Sequence, residues 1–368
     1  MKNLFFIVIA ISIIAKAEVK PEMQNFFFLV DKIQKFTLDK SEYIKKSNEK
    51  EIAAALKQFN ETVARIKSEK MSGKDDMKFR LQLLKEGLEE AEQAFNTSFK
   101  DYSHWALKAS LNQCYSCHTQ KSLTSTGYTP ANFKNKTDYA KAEFLFLVRN
   151  YSQSIPLFEK VVLDYPRKVS VEELESAIQK ILYHAIRVQK NDSETLTQID
   201  RLLNNKLLPS SVKNDFSAWK KYLNVKKYNV SERESLTTPA QLQDYITSRN
   251  DLAANYRLSN QRYVVDLDTN QRLYQLLESN SDVKMKPWIL YWLAYQEKDY
   301  QQSMFDQSAE MYLRECIEKY TRSEAAKKCF SLYKEIITDS FTGSRGTEIP
   351  EAFEKQIDNY KKMIDGGL

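Results

Sequence analysis

Scarce turn residues and an unbroken run of helical hydrophobic patterns predict an all-α protein. The expected layout is an N-terminal four-helix bundle followed by an α-helical repeat domain. Gly (7) and Pro (8) are few among 368 residues, and no Gly occurs between Gly127 and Gly343. A β-rich fold needs a turn about every ten residues, built largely from those residue types. All-β architecture and glycine-rich phosphate loops are therefore excluded. Apolar residues make up 42 % of the chain, enough for a sizeable core, and the length fits two or three domains. The net charge is +6, with basic residues dispersed among acidic ones. A nucleic-acid-binding chain concentrates its basic residues in a stripe instead.

Taken in order, residues 1–17 read as a signal peptide. Lys2 precedes the apolar run Leu4 to Ile14, and small residues follow at Ala15-Lys16-Ala17. A basic start, a short greasy stretch and small residues at the cut form a secretory address. The run is shorter than the ~20 residues a membrane span requires. The expectation is export, to a bacterial periplasm, with no integral membrane segment after cleavage. An uncleaved N-terminal anchor is the alternative.

Residues 18–122 form the expected bundle. Its first helix carries Met23, Phe26, Phe27, Val30 and Ile33, with Pro21 near the favoured first position. The second carries Ile52, Leu56, Phe59, Val63 and Ile66, and the third Met77, Leu81, Leu84, Leu88, Ala91 and Phe95. The fourth carries Leu107, Leu111, Cys114 and His118. Each keeps the three-four-three spacing of a helix with one buried stripe. Breaks are expected at Thr37 to Asn48, at Ser72 to Asp75 and near Asn96-Thr97-Ser98. Short breaks imply antiparallel neighbours in an up-down-up-down order.

The sharpest signal is Cys114-Tyr115-Ser116-Cys117-His118. C-x-x-C-H is the attachment motif of c-type heme. The two thiols form thioethers to the porphyrin, and the His supplies the proximal axial ligand to iron. On a helix, positions 114, 117 and 118 share one face, so one short segment reaches all three attachment points. The expected cofactor is thus one covalently attached heme c. Zinc would require two more ligands at suitable spacing, and only His104, His184 and a distant Cys pair remain. A thioredoxin-like pair belongs in a βαβ context, which the sequence lacks.

The position of the motif at the end of the bundle resembles the cytochrome c′ and cytochrome b562 group. The stretch Pro21 to Phe26, with Val30 and Ile33 below it, is similar to the Met-bearing first helix of the b562 type; Asp76 to Arg80 opening the third helix is also similar. The terminal Cys-x-x-Cys-His helix matches the c′ pattern. The resemblance covers about a quarter of the chain. It implies Met23 as the candidate distal iron ligand, because the first and fourth helices run in opposite directions and bring Met23 and His118 to one end. Two alternatives stay open: a five-coordinate iron with Phe26 or Phe27 over the open face, or ligation by Met71 or Met77. His104 is expected to be a partly exposed structural residue. His184, in an apolar helix, is expected to be a core residue with its hydrogen bonds met.

Residues 123–135 read as a polar linker with Gly127 and Pro130. Residues 136–342 read as helical pairs. Tyr139 to Pro166 resembles one tetratricopeptide unit, with Ala142, Tyr151, Ser154, Phe158 and Pro166 where that repeat wants small, aromatic, small, aromatic and Pro. Leu145 replaces an aromatic, and Arg149 stands where Gly is usual. Further pairs are expected at about 171–189 with 193–205, 210–224 with 239–256, 261–279, and 287–300 with 304–320, continued by 323–341. Residues 343–368 read as a loop and a closing helix. Cys316 and Cys329 flank the expected turn between two antiparallel helices, at equal height on each, which suits a disulfide. Two buried free thiols are the alternative.

These residues support three functional expectations. The first is an electron-transfer protein that docks a redox partner protein with help from the repeats. The second is a five-coordinate hemoprotein that binds or senses NO or CO. The third is a heme-bearing assembly scaffold, its repeats holding a peptide or protein ligand. Nucleic acid is not an expected partner. Enzymatic catalysis is not expected, because a peroxidase needs a distal acid–base group and no spare His serves.

Overall fold

The computed structural model describes residues 21–66, 75–120, 133–228, 236–256, 259–279, 282–298, 308–344 and 346–366. The expected signal peptide and most of the expected linker lie outside these residues. The protein is all-α: sixteen α-helices account for nearly all regular structure among the described residues.

The first five helices are α1 (Pro21–Leu38), α2 (Lys40–Ile44), α3 (Glu49–Ala64), α4 (Asp75–Asn96) and α5 (Lys100–Gln120). The short α2 occupies what the sequence pattern left as a break. Asp39 starts it, its carboxylate accepting from the backbone N–H of Ser41 and Glu42. Bonding to the Ser41 side chain is the main cause holding Asp39 below its usual carboxylate pKa. Packing then runs α1 on α3, α3 on α4 and α4 on α5, with α2 wedged against α1 and α5.

Two contacts fix the direction of α1 against α3. The Phe26 and Phe59 rings meet at 5.1 Å, and Lys35 pairs with Glu51 at 3.2 Å. Rising numbers on one helix match falling numbers on the other, so the pair is antiparallel. The α4/α5 pair is antiparallel by the same reasoning. Ser103 Oγ donates to the Ala91 carbonyl at 2.6 Å, while Ser110 presses against Gly87. A Cβ at Gly87 would collide with the Ser110 hydroxyl, so glycine here permits the close approach. The shared core includes Phe26, Phe27, Phe59, Leu88, Leu107 and Leu111. Each such side chain contributes roughly 1.5–3 kcal/mol by leaving water.

The remaining helices are α6 (Asp138–Leu147), α7 (Tyr151–Asp164), α8 (Val171–Tyr183), α9 (Asp192–Leu202), α10 (Ser210–Tyr228), α11 (Pro239–Ala254) and α12 (Ser259–Ser279). They are followed by α13 (Lys286–Glu297), α14 (Ser308–Lys319), α15 (Glu324–Ser340) and α16 (Glu351–Ile364). Caps mark their starts. Ser170 with Glu173, and Thr238 with Gln241, form reciprocal capping boxes. Neighbours in sequence are mostly neighbours in space; the main departure is α10, which packs on α12.

The α6/α7 hairpin answers the question posed by Arg149. The turn forms with Arg149 itself in the left-handed region, at φ 65°, so glycine is not required there. Small residues meet at the crossing: Ser154 Oγ donates to the Ala142 carbonyl at 2.7 Å, both residues fully buried. Phe146 packs edge-on against Tyr151 and Phe158.

The segment 171–189 is not one α-helix. It turns π-helical over His184–Gln189 and stops at Lys190, which is left-handed and returns its N–H to the Ala185 carbonyl at 2.9 Å. Residues 342–347 are likewise not a bare loop: Thr342–Gly343 pairs with Gly346–Thr347 in a short antiparallel ribbon. Gly346 has φ 111°, a conformation that favours glycine.

Three hydrophobic clusters follow the chain. The first spans α1–α5 and takes Phe144, Leu147 and Val148 from α6 and its end. The second takes Ala142 and Phe146 from the same helix and runs to Leu267. The third runs from Leu236 to Tyr360. No described helix is long and apolar enough to cross a membrane.

Candidate functional site

The expected attachment motif falls on the closing turns of α5, where the backbone is helical through Gln120. Positions 114, 117 and 118 therefore share one face. Cys114 is buried, 8 % exposed, within the first hydrophobic cluster. Its apolar company there includes Phe26, Phe27, Ile66, Leu81 and Leu111. Thr119, next to the motif, is fully buried. The side chains of Met23, Met77, Cys117 and His118 lie outside the described residues, as does all of Met71.

Helix register places the motif relative to the start of α1. Lys100 pairs with Glu49 at 3.1 Å, so the starts of α5 and α3 are level. Asn60, further along α3, donates to the Leu88 carbonyl at 3.2 Å, and α4 at that height faces the stretch of α5 after Ser103. Helices α3 and α5 thus run parallel, and α1, antiparallel to α3, runs against α5. His104 Nε2 lies 3.1 Å from the Thr37 carbonyl. Met23 precedes Thr37 by as many residues as His118 follows His104, a rise of about 21 Å along each helix. The backbone at the start of α1 is accordingly level with the motif at the end of α5.

The opposite end of these helices holds a polar cluster that sequence reasoning missed. Tyr43 is fully buried, and its hydroxyl meets Ser103 Oγ at 2.7 Å. Burial raises its pKa to about 12, opposed by the Ser103 bond. The Tyr43 ring stands edge-on to His104 at 5.0 Å. His104 is buried rather than partly exposed, because α2 and the end of α1 close over it. Burial lowers its pKa, helped by nearby Lys108, against the bond to Thr37. No local spacing signals this contact, since Thr37 is 67 residues away in sequence.

His184 departs from expectation in another way. It lies in the π-helical turn beside the Tyr151 ring, at 5.3 Å, and its buried Nδ1 has no hydrogen-bond partner. Burial drives its pKa down to about 4, so it is neutral at pH 7. The two histidines lie on different elements and do not come together. Among the described residues no group of three or more His, Cys, Asp or Glu forms a metal cage.

Cys316 on α14 and Cys329 on α15 face each other across the hairpin that Ser323 caps. Their Cα atoms are 6.4 Å apart and their sulfurs are at bonding distance, a disulfide between two fully buried positions.

A second feature legible only in three dimensions is the contact between α4 and α14. Gln82 and Glu86 face Glu310, Arg314 and Glu318 there. Burial raises Glu310 to about 7; Arg314 opposes the rise and Glu86 adds to it. No protein-family model matches the chain, and comparisons with curated proteins and with solved structures give no match.

Proposed function

We propose that the chain is an exported c-type cytochrome carrying one covalent heme, which passes electrons one at a time to or from a docked partner protein. In this reading α1, α3, α4 and α5 form a four-helix heme bundle, and the later helices form a tetratricopeptide-like repeat domain that helps hold the partner. The observation that carries the reading is the placement of Cys114, Cys117 and His118 on one face at the end of α5, with Cys114 buried among apolar side chains.

The donor set suits the group. Two thiols and an imidazole at i, i+3 and i+4 are the linkers and axial ligand of heme c. Cys114 and Cys117 would hold the porphyrin, and His118 would take one axial position. When bound, heme supplies an iron centre that exchanges single electrons. The chain's part is to bind it, orient it and keep water away. Phe26, Phe27, Leu81 and Leu111 are all buried in the same hydrophobic cluster as Cys114. Met23 is the residue proposed for the second axial position, its backbone level with the motif as derived above. Thioether ligation raises the reduction potential and suits an electron carrier.

The test is direct. Protein exported from a bacterial host with heme-attachment machinery should yield a tryptic fragment spanning 114–118 with the mass of heme added. A colourless product without that increment would refute the reading. Met23→Ala should alter the visible spectrum if Met23 is bound to iron. A second reading rests on the burial of Phe26 and Phe27, each 1 % exposed, at the start of α1: these rings would cover an open sixth position, as in a gas-binding hemoprotein. Ready binding of CO by the reduced protein, with a spectrum indifferent to Met23→Ala, would favour it.

A further inference from the structure

Away from the first five helices, a cleft of about 190 Å³ opens between the π-helical turn, α10, α11 and α12. Turns of this kind occur often at functional sites. This one contributes Ile186 to the wall, with Lys190 just beyond its end. The space is larger than one water needs and is similar to the ~150 Å³ cavity that admits a benzene-sized molecule. It therefore has room for one six-membered ring.

Four of the charged groups that face the cleft form one connected network. Asp268 accepts from the Tyr222 hydroxyl at 2.6 Å and from Lys226 at 2.7 Å. Lys226 is also 3.5 Å from Asp192. Arg249, 4 % exposed, donates to the same Tyr222 hydroxyl at 2.9 Å and lies over the Tyr245 ring at 5.0 Å. A neutral ligand can enter without breaking this network, whereas an ion would have to compete for its members to offset its own loss of water.

Two carboxamides stand on the same wall. Gln271 and Gln275 are one turn apart on α12 and so share a face. Gln271 is 5 % exposed, and its Oε1 is buried without a hydrogen-bond partner among the described residues. Buried polar atoms of native folds are nearly always bonded, so an unmet one that lines a cleft marks a place where a ligand can supply the bond. A hydroxyl both gives and accepts, which suits either atom of a carboxamide. Tyr245 and Ile186 add apolar surface to the cleft, fit for the C–H face of a ring.

We infer that this cleft binds a neutral cyclic polyol, a single monosaccharide or cyclitol unit. Gln271 accepts from one of its hydroxyls, and Gln275 bonds a neighbouring one. This inference does not depend on the heme reading.

Calorimetric titration of the full chain tests it. Glucose, galactose, mannose and myo-inositol are added in separate runs, with sodium phosphate as the charged comparison. Saturable binding of at least one cyclic polyol at millimolar concentration is expected, tighter than that of phosphate. Preference for inositol assigns the site to a cyclitol, and preference for a sugar assigns it to a monosaccharide. Gln271→Leu should weaken that binding at least tenfold with an unchanged circular dichroism spectrum. It should not lower the melting temperature, as loss of a merely structural residue would. Gln275→Leu, at a half-buried position, should weaken binding severalfold and is the deciding variant if Gln271→Leu does not fold. Absence of saturation with all four polyols, tighter binding of phosphate than of any of them, or parental affinity in the folded variants overturns the proposal.

Discussion

The first and last helical regions of this chain each contain two cysteines, and they place them in opposite ways. Cys114 and Cys117 are three residues apart on one helix, α5, so both positions belong to a single face. Cys316 and Cys329 lie on separate helices and close a covalent bridge between them. Both interiors also carry tyrosines bonded to carboxylates, Tyr102 to Glu90 in the first and Tyr274 to Glu297 in the last. In the first region Tyr43, Ser103 and His104 bond to each other or to nearby backbone carbonyls. In the last, tyrosines bond to charged side chains: Tyr360 donates to Glu318 and accepts from Arg314, and Tyr274 donates to Glu297. Sulfurs paired across helices constrain the chain. Cysteines three apart on one helix suit the proposed attachment of heme instead.

Changes to each region should therefore have separable effects. The largest is expected from Cys114→Ser with Cys117→Ser, which, on the proposed heme reading, should abolish covalently bound pigment on a heme-stained gel while the Cys316–Cys329 bridge still forms. Loss of the bridge as well, seen by thiol labelling, would break the separation. Next, Cys316→Ala with Cys329→Ala should lower stability by about 2–3 kcal/mol, the chain-entropy value for a loop of this length. The check is the denaturant midpoint, with pigment content unchanged.

Glu310 tests the contact between the two regions. Its folded pKa of about 7 exceeds the ordinary value of 4.5, so the folded state holds this proton more tightly than the unfolded chain. Its contribution to stability is most favourable below about pH 4.5 and is lost as pH rises through 7. Glu310→Gln should remove that loss, a gain on the order of 2 kcal/mol at pH 8 relative to pH 5. Comparing denaturation of variant and parent at both pH values isolates it, and parallel pH slopes would contradict the assignment. The smallest effect is expected from Tyr43→Phe. Losing its bond to Ser103 should cost about 1 kcal/mol, because Ser103 keeps the Ala91 carbonyl.

Much of the helical class was readable because turns need residue types this chain lacks. Stripes such as Ile52, Leu56, Phe59 and Val63 mark α3 on spacing alone, and all four are buried. The cysteine motif is legible for the same reason: its geometry is local to one helix. What escaped depends on distant partners. His104 is buried by a carbonyl that no spacing rule connects to it. The π-helical turn keeps apolar residues at near-helical intervals, so one extra residue in the turn leaves the pattern looking continuous. On α12, Asp266, Asp268, Thr269, Asn270 and Gln271 are all buried. That polar run carried a signal, since polar side chains are rarely buried together without partners. Its partners include Arg262 on α12 itself, bonded to Asp266, and Tyr222 and Lys226 on α10, bonded to Asp268.

Helix α6 belongs to two interiors at once: Phe144 and Leu147 point their bulk into one, Ala142 and Phe146 into the next. Anyone dissecting the protein will meet this at the cutting board. A fragment ending ahead of Asp138 strips the front half of a lid, and one ending beyond Val148 bares sticky rings on the other side. Neither half can be lifted out clean, so expression of either alone should be accompanied by clumping that the intact chain avoids.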